Sequence, residues 1–102
     1  MGVVEITSFE VSKGRESEFR RALIEVLPIL VRQHGYIEHE FGVSIERADQ
    51  FWLIVRWKTL EDHTERFRGS ADFEAFVGAF RQFLAEPAAV SHFRQAHYGG
   101  GG

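Results

Sequence analysis

FWLIVRWKTLEDHTERFRGSADFEAFVGAFRQFLAEPAAVSHF, residues 51–93, contains a strand, two helices and a returning strand with clear punctuation between them. The run Phe51 to Trp57 is apolar on both parities except for Arg56, as expected of a mid-sheet strand covered above and below. Thr59 stands where a helix N-cap belongs, with Asp62 three residues on, and predicts a short helix from Leu60 to Arg68. Arg68-Gly69-Ser70 ends that helix and caps the next. The third helix is expected from Ala71 to about Leu84, with Phe73, Phe76, Val77, Phe80, Phe83 and Leu84 along one side. Such an aromatic stripe reads as core rather than as a cofactor box. Glu86-Pro87 closes the helix, and Ala89 to Tyr98 reads as the last strand.

Upstream, Val3 to Val11 alternates as a first strand, and Ser12-Lys13-Gly14 turns into a helix opened by Glu16 and Glu18. From Arg15 to about His34, Phe19, Leu23, Val26, Leu30 and Val31 recur at helical spacing and make a stripe that packs on a sheet. Pro28 lies inside that stripe and removes one helical hydrogen bond, which should loosen or bend the helix near Ile24 at a cost of roughly 3 kcal/mol if uncompensated. Either the helix curves over a sheet, or a gap opens there for a ligand. Gly35 stops the helix. Tyr36 to Glu46 then alternates Ile37, His39, Phe41, Val43 and Ile45 against Glu38, Glu40, Gly42 and Ser44, and Arg47–Gln50 forms a hairpin turn.

The order strand, helix, strand, strand, helix, helix, strand is an α+β, split βαβ pattern: a ferredoxin-like antiparallel sheet with its helices on one face. Apolar residues nevertheless occupy both parities of the strands, so the second face needs cover. A second copy, closing a twofold-symmetric barrel, is the economical answer. At 102 residues the chain is one domain, expected over residues 1–98 with 99–102 as a flexible Gly tail. A domain of this size buries only about 60 to 70 per cent of its unfolded surface, which also favours a partner.

Composition excludes several classes of function. Net charge is -3 and no basic run exceeds Arg20-Arg21, so the electrostatic footprint of a nucleic-acid binder is missing. No apolar run approaches the ~20 residues of a bilayer span, and the N-terminus reads straight into a strand; a cytoplasmic protein is expected. The absence of Cys excludes disulfides, thiolate metal sites and a Cys nucleophile. No His or carboxylate cluster has metal-ligand spacing, no Gly-rich loop joins strand to helix, and there is no nucleophile elbow, so neither metal nor nucleotide cofactor is expected.

Several segments carry a family likeness: Val3-Val4-Glu5-Ile6, His34-Gly35-Tyr36-Ile37, Arg56 through His63, Phe67 through Phe73, and Val90-Ser91-His92-Phe93. On these the chain resembles the antibiotic biosynthesis monooxygenase superfamily over residues 3 to 98. The resemblance implies a dimeric α+β barrel and a scaffold shared by cofactor-independent oxygenases of phenols and quinols, haem-degrading oxygenases and isomerases. The haem-degrading branch uses an Asn on the first strand and a Trp and a His on the helices. Here those places hold Thr7, Arg66 or Phe67, and Phe76 or Val77, none of which matches.

The reaction the resemblance points to is oxidation of a quinol-like or polycyclic phenol by O2 without a prosthetic group. It needs a proton acceptor, a cation for developing negative charge, and aromatic walls. His63 is the first candidate acceptor: Leu60, His63, Thr64 and Phe67 fall on one helical face aimed at the sheet, and a semi-buried imidazole with a pKa near 7 could take a phenolic proton. Its competing reading is a core histidine bonded to a carbonyl. Arg56 stabilises a phenolate if it faces the helices, or pairs with Glu5, Glu38 or Glu40 if it faces a dimer interface. Trp57 and Trp52 point to opposite faces, and whichever meets the helices can wall a planar ligand alongside Phe67. Thr7 could bond a substrate oxygen, and His39 and His92 could supply a second acid or base, each against a structural reading. A non-catalytic dimer that binds a small ligand and a lactone-type isomerase are the two other functions compatible with these residues.

Overall fold

A computed structural model describes residues 2–101. Four strands, β1 (Val3–Glu10), β2 (Tyr36–Val43), β3 (Gln50–Trp57) and β4 (Ala89–Arg94), form one antiparallel sheet in the order β2-β3-β1-β4. Helices α1 (Glu16–Val31) and α2 (Ala71–Phe80) lie on one face, giving the ferredoxin-like α+β fold that the element order predicts. Met1 and Gly102, the ends of the expected domain and tail, lie outside the described residues.

Parity sorts the strands. On β3, Phe51, Leu53, Val55 and Trp57 are buried beneath the helices, whereas Trp52, Ile54 and Arg56 face away. On β1 the buried set is Glu5, Thr7 and Phe9, so two polar side chains occupy core positions. Phe19 of α1 packs against Phe9, Phe51 and Phe80 at ring-centroid distances of 5.1, 5.0 and 5.7 Å, tying both helices to the two central strands. The opposite face exposes Ile6 at 36% and Phe93 at 53%, beside Ile54 and Trp52.

Several expectations need correction. Helix α1 includes Pro28 and ends at Val31 rather than near His34, and Val31 is half-exposed rather than part of the buried stripe. Ile24, whose carbonyl loses its helical donor to Pro28, is also half-exposed, so water can serve that carbonyl. Strand β2 ends at Val43 and not Glu46, because Ser44 Oγ accepts from the amides of Glu46 and Arg47 and turns the chain, leaving Ile45 in solvent. The simple alternation fails at its start too. A bulge between Tyr36 and Glu38 returns Tyr36 and His39 to the helix face and turns Ile37 out. Strand β4 stops at Arg94, four residues early, and leaves His97 outside the sheet.

The short second helix is π-helical over Asp62–Phe67, with the Arg68 amide donating to the His63 carbonyl five residues back. This winding buries Asp62, His63 and Phe67 together and leaves Leu60 41% exposed, where α-helical spacing had grouped Leu60 with His63. The predicted Thr59 cap is present: Thr59 Oγ1 accepts from the Asp62 amide at 3.2 Å and donates to Asp62 Oδ2 at 2.9 Å. Ser70 Oγ caps α2 by accepting from the Phe73 amide, and α2 gives way at Arg81 to a 3-10 turn ending at Phe83.

Candidate functional site

Between the helices and β1 lies a cavity of about 550 Å³. Phe9, Phe67, Phe73, Phe76 and Phe80 line it, and its buried polar wall is Glu5, Thr7 and His63. The aromatic stripe of α2 is therefore core and cavity wall at once. Pro28 is not among the lining residues, so the cavity does not arise from a Pro-induced gap.

The polar wall follows from strand geometry. Glu5 and Thr7 are two apart on β1 and share the buried face, and Glu5 stands opposite His92 of β4 and Val55 of β3 in the register. The π-helical segment places His63 over this pair. Glu5 accepts from Thr7 Oγ1 at 2.5 Å and from Trp57 Nε1 at 3.0 Å, and its Oε1 lies 3.3 Å from His63 Nε2. His63 Nδ1 and His92 Nε2 share a hydrogen bond of 2.7 Å. The result is a continuous row, Glu5, His63, His92, running from the cavity to a partly exposed imidazole.

Burial governs the charges. It raises the Glu5 carboxyl above its ordinary value, against the opposing bonds from Thr7 and Trp57 and the charges of His92 and Arg68. It lowers His63 to about 3, with Arg68 and His92 acting in the same direction. His63 is thus neutral at physiological pH and is too weak a base to hold a phenolic proton, which corrects the expected value near 7. The better proton acceptor on the cavity wall is Glu5, which the sequence alone offers only as a partner for Arg56. The available signal was a carboxylate at the same parity as Thr7 and Phe9 on an otherwise buried strand face.

The other candidates divide between the site and elsewhere. Thr7 and Phe67 line the cavity, and His92 reaches it through His63. Trp57 does not line it: the indole stands behind the polar wall, stacked on the His63 ring at 5.3 Å and 16° while donating to Glu5. Arg56 is on the far face of the sheet, 3.0 Å from Glu38, its cross-strand neighbour, so even parity removes it from any role in the cavity. His39 bonds the Tyr36 hydroxyl at 2.5 Å and is not a lining residue. The cation the sequence sought in Arg56 is present as Arg68, a lining residue whose charge acts on both Glu5 and His63. Among the described residues no cluster of three or more His, Asp or Glu side chains is arranged to hold a metal ion.

The antibiotic biosynthesis monooxygenase family model matches residues 2–79. The uncharacterised protein YczJ of Bacillus subtilis (strain 168) is 35% identical over 92 residues, which span 90% of this chain and 97% of that one. A crystal structure from Bordetella bronchiseptica, carrying the same family designation, is 31% identical and superposes with a TM-score of 0.89 over 94% of this chain and 98% of its own. SnoaB of Streptomyces nogalater, a cofactor-independent oxygenase, shares the fold at a TM-score of 0.82 over 95% of each chain with 18% identity.

Proposed function

The chain belongs to the antibiotic biosynthesis monooxygenase family, and on that footing we propose that it oxidises a quinol-like or polycyclic phenolic compound with O2 and without a prosthetic group. The observation that carries this reading is an apolar cavity on whose buried polar wall a carboxylate of raised pKa touches a neutral histidine. Its volume of about 550 Å³ lies within the range of small-molecule pockets, so the phenylalanines surround a space rather than fill it. That favours a ligand-binding or catalytic role over a purely structural one.

In the proposed cycle Glu5 accepts the phenolic proton, and Arg68 offsets the charge of the phenolate. The anion passes one electron to O2, recombination forms a carbon–oxygen bond and a peroxide anion, and Glu5 returns its proton to that anion to give the substrate hydroperoxide. Loss of water from the hydroperoxide leaves a new carbonyl on the substrate. One oxygen atom enters the product and the other leaves as water, and all electrons come from the substrate. Before the cycle, a protonated Glu5 becomes the base by passing its proton to His63 Nε2 as His63 Nδ1–H passes its own to His92 Nε2, and the proton leaves to solvent from the partly exposed His92, with His63 Nε2–H then donating to the Glu5 carboxylate. This relay needs no long-lived imidazolium at His63, in keeping with its low pKa.

Oxygen uptake by purified, metal-stripped protein with a panel of hydroquinones, anthrones and naphthols tests the proposal. Saturable uptake is expected, reduced ~10²-fold in His63→Ala. A flat trace across the panel sinks it, and substrate consumption without O2 uptake would favour isomerase chemistry on the same acid–base pair.

We further propose that the exposed sheet face pairs with a second copy. Ile6, Ile54 and Phe93 would then be buried, together with the Arg56–Glu38 pair. Light scattering should report a dimer for the wild type and a monomer for Ile54→Asp. A dimeric Ile54→Asp would rule out this face.

A further inference from the structure

We infer that the substrate is an aromatic hydroxy acid, its phenolic oxygen at Glu5 and its carboxylate held by Arg68 at the cavity wall. This rests on the reading that the cavity takes an aromatic ligand, and it adds the ligand's charge.

Three observations carry it. First, the cavity has two kinds of polar wall. Glu5, Thr7 and His63 are buried, whereas Arg68 and Arg81 line the same space from exposed positions. Second, the two arginines are not equally free. Arg81 reaches Glu74 at 3.8 Å, whereas Arg68 has no carboxylate within 4.0 Å among the described residues. A guanidinium on an aromatic-lined cavity with its donors uncommitted is suited to a planar anion: it can bond a carboxylate through two parallel N–H groups, and its flat face tolerates the neighbouring rings. Third, Arg68 lies near enough to influence both Glu5 and His63, so a carboxylate bound to it sits close to the proton-accepting wall. A ligand that bridges the two walls carries its acid group near its phenol.

Glu86 also lines the cavity and opposes an anion. It therefore supplies a control of opposite sign.

Isothermal titration of 3-hydroxy-2-naphthoate and of 2-naphthol, both without turnover under anaerobic conditions, separates the acid from the ring. The wild type is expected to bind the acid at least tenfold more tightly. Arg68→Gln should lose that preference for the acid over 2-naphthol, and Glu86→Gln should increase it. Far-UV circular dichroism confirms that the exposed substitutions leave the fold intact. Equal wild-type affinities, or a preference that survives Arg68→Gln, overturn the inference, as does failure of both compounds to bind. Because binding alone is measured, a tenfold preference without oxygen uptake would support the acid-recognition site while removing the oxygenase reading.

Discussion

Glu5→Gln is expected to lower kcat by ~10² or more while leaving a folded protein that is more stable than the wild type at neutral pH. Gln keeps the shape and can still accept from Trp57 and His63 through its carbonyl and donate to Thr7 through its amide. It cannot take a proton from a phenol. The stability effect follows from linkage. A buried carboxyl with a native pKa above its ordinary 4.5 contributes stability that is full below 4.5 and is lost as pH rises through the native value. At pH 7 the ionised form is therefore a net cost, which Gln removes, and each kcal/mol recovered raises Tm by roughly 4–8 °C in a domain of this size.

His63 imposes the reverse slope in both proteins. Its native pKa of about 3 lies below its ordinary 6.5, so protonation of the unfolded state drains stability as pH falls from 6.5 toward 3. The slope reaches at most about 1.4 kcal/mol per pH unit. In the wild type the protonation of Glu5 offsets part of that loss. The advantage of Glu5→Gln should thus be largest near pH 7 and shrink toward pH 4.5. Thermal melts across this range, with oxygen-uptake kinetics, check both halves. Unchanged turnover removes Glu5 from the mechanism, and a lower Tm at every pH contradicts the assignment of a buried, costly carboxylate.

Gly35→Ala is expected to destabilise the fold by about 3 kcal/mol or more. Gly35 has φ +83°, and a Cβ there would lie 2.0 Å from Asp62 Oδ2 and 2.7 Å from Asp62 Cβ. Asp62 has little room to yield. Its side chain is 4% exposed, takes His34 Nδ1 at 2.8 Å and Thr59 Oγ1 at 2.9 Å, and lies 3.5 Å from Arg66 Nε. Burial alone would raise its pKa, but the bonds from His34 and Thr59 more than reverse this and hold the carboxyl below its ordinary range. Gly14 provides the comparison: its φ is +85°, yet nothing lies within 4 Å of an added Cβ. Gly14→Ala should cost only the backbone term, about 1–2 kcal/mol. Denaturant melts of the two variants isolate the contact with Asp62; equal losses would show that Asp62 yields freely. The contact bears on function because Asp62 anchors the π-helical segment that carries His63.

Much of this was legible in the chain. The two-residue period of β1 and β3, the Thr59 and Ser70 caps, the Gly35 stop and the run of phenylalanines on α2 are local signals, set by side-chain volume, hydrogen-bonding groups and backbone freedom within a few residues. They determine the strand and helix order, and with it the ferredoxin-like sheet. Parity likewise separates Trp57 from Arg56, though not which face the helices cover. That His63, Thr7, Phe67 and His92 come to one cavity or its edge follows from the positions of the short helix and the strands that carry them.

The role of each group was a tertiary matter. The imidazole expected to titrate near 7 sits instead near 3, because its pKa depends on how completely β1, β4 and the π-helical segment exclude water. None of those distances is encoded within any one element. The exchange of Arg56 for Arg68 has the same origin, since a cation's function depends on the side of the sheet it occupies and on which carboxylates lie within reach. Glu5 shows the division most clearly. Its buried parity can be read from Glu5, Thr7 and Phe9 alone, but its contacts with Trp57, His63 and the cavity join positions up to 58 residues apart, and only the closed fold brings them within 3.3 Å.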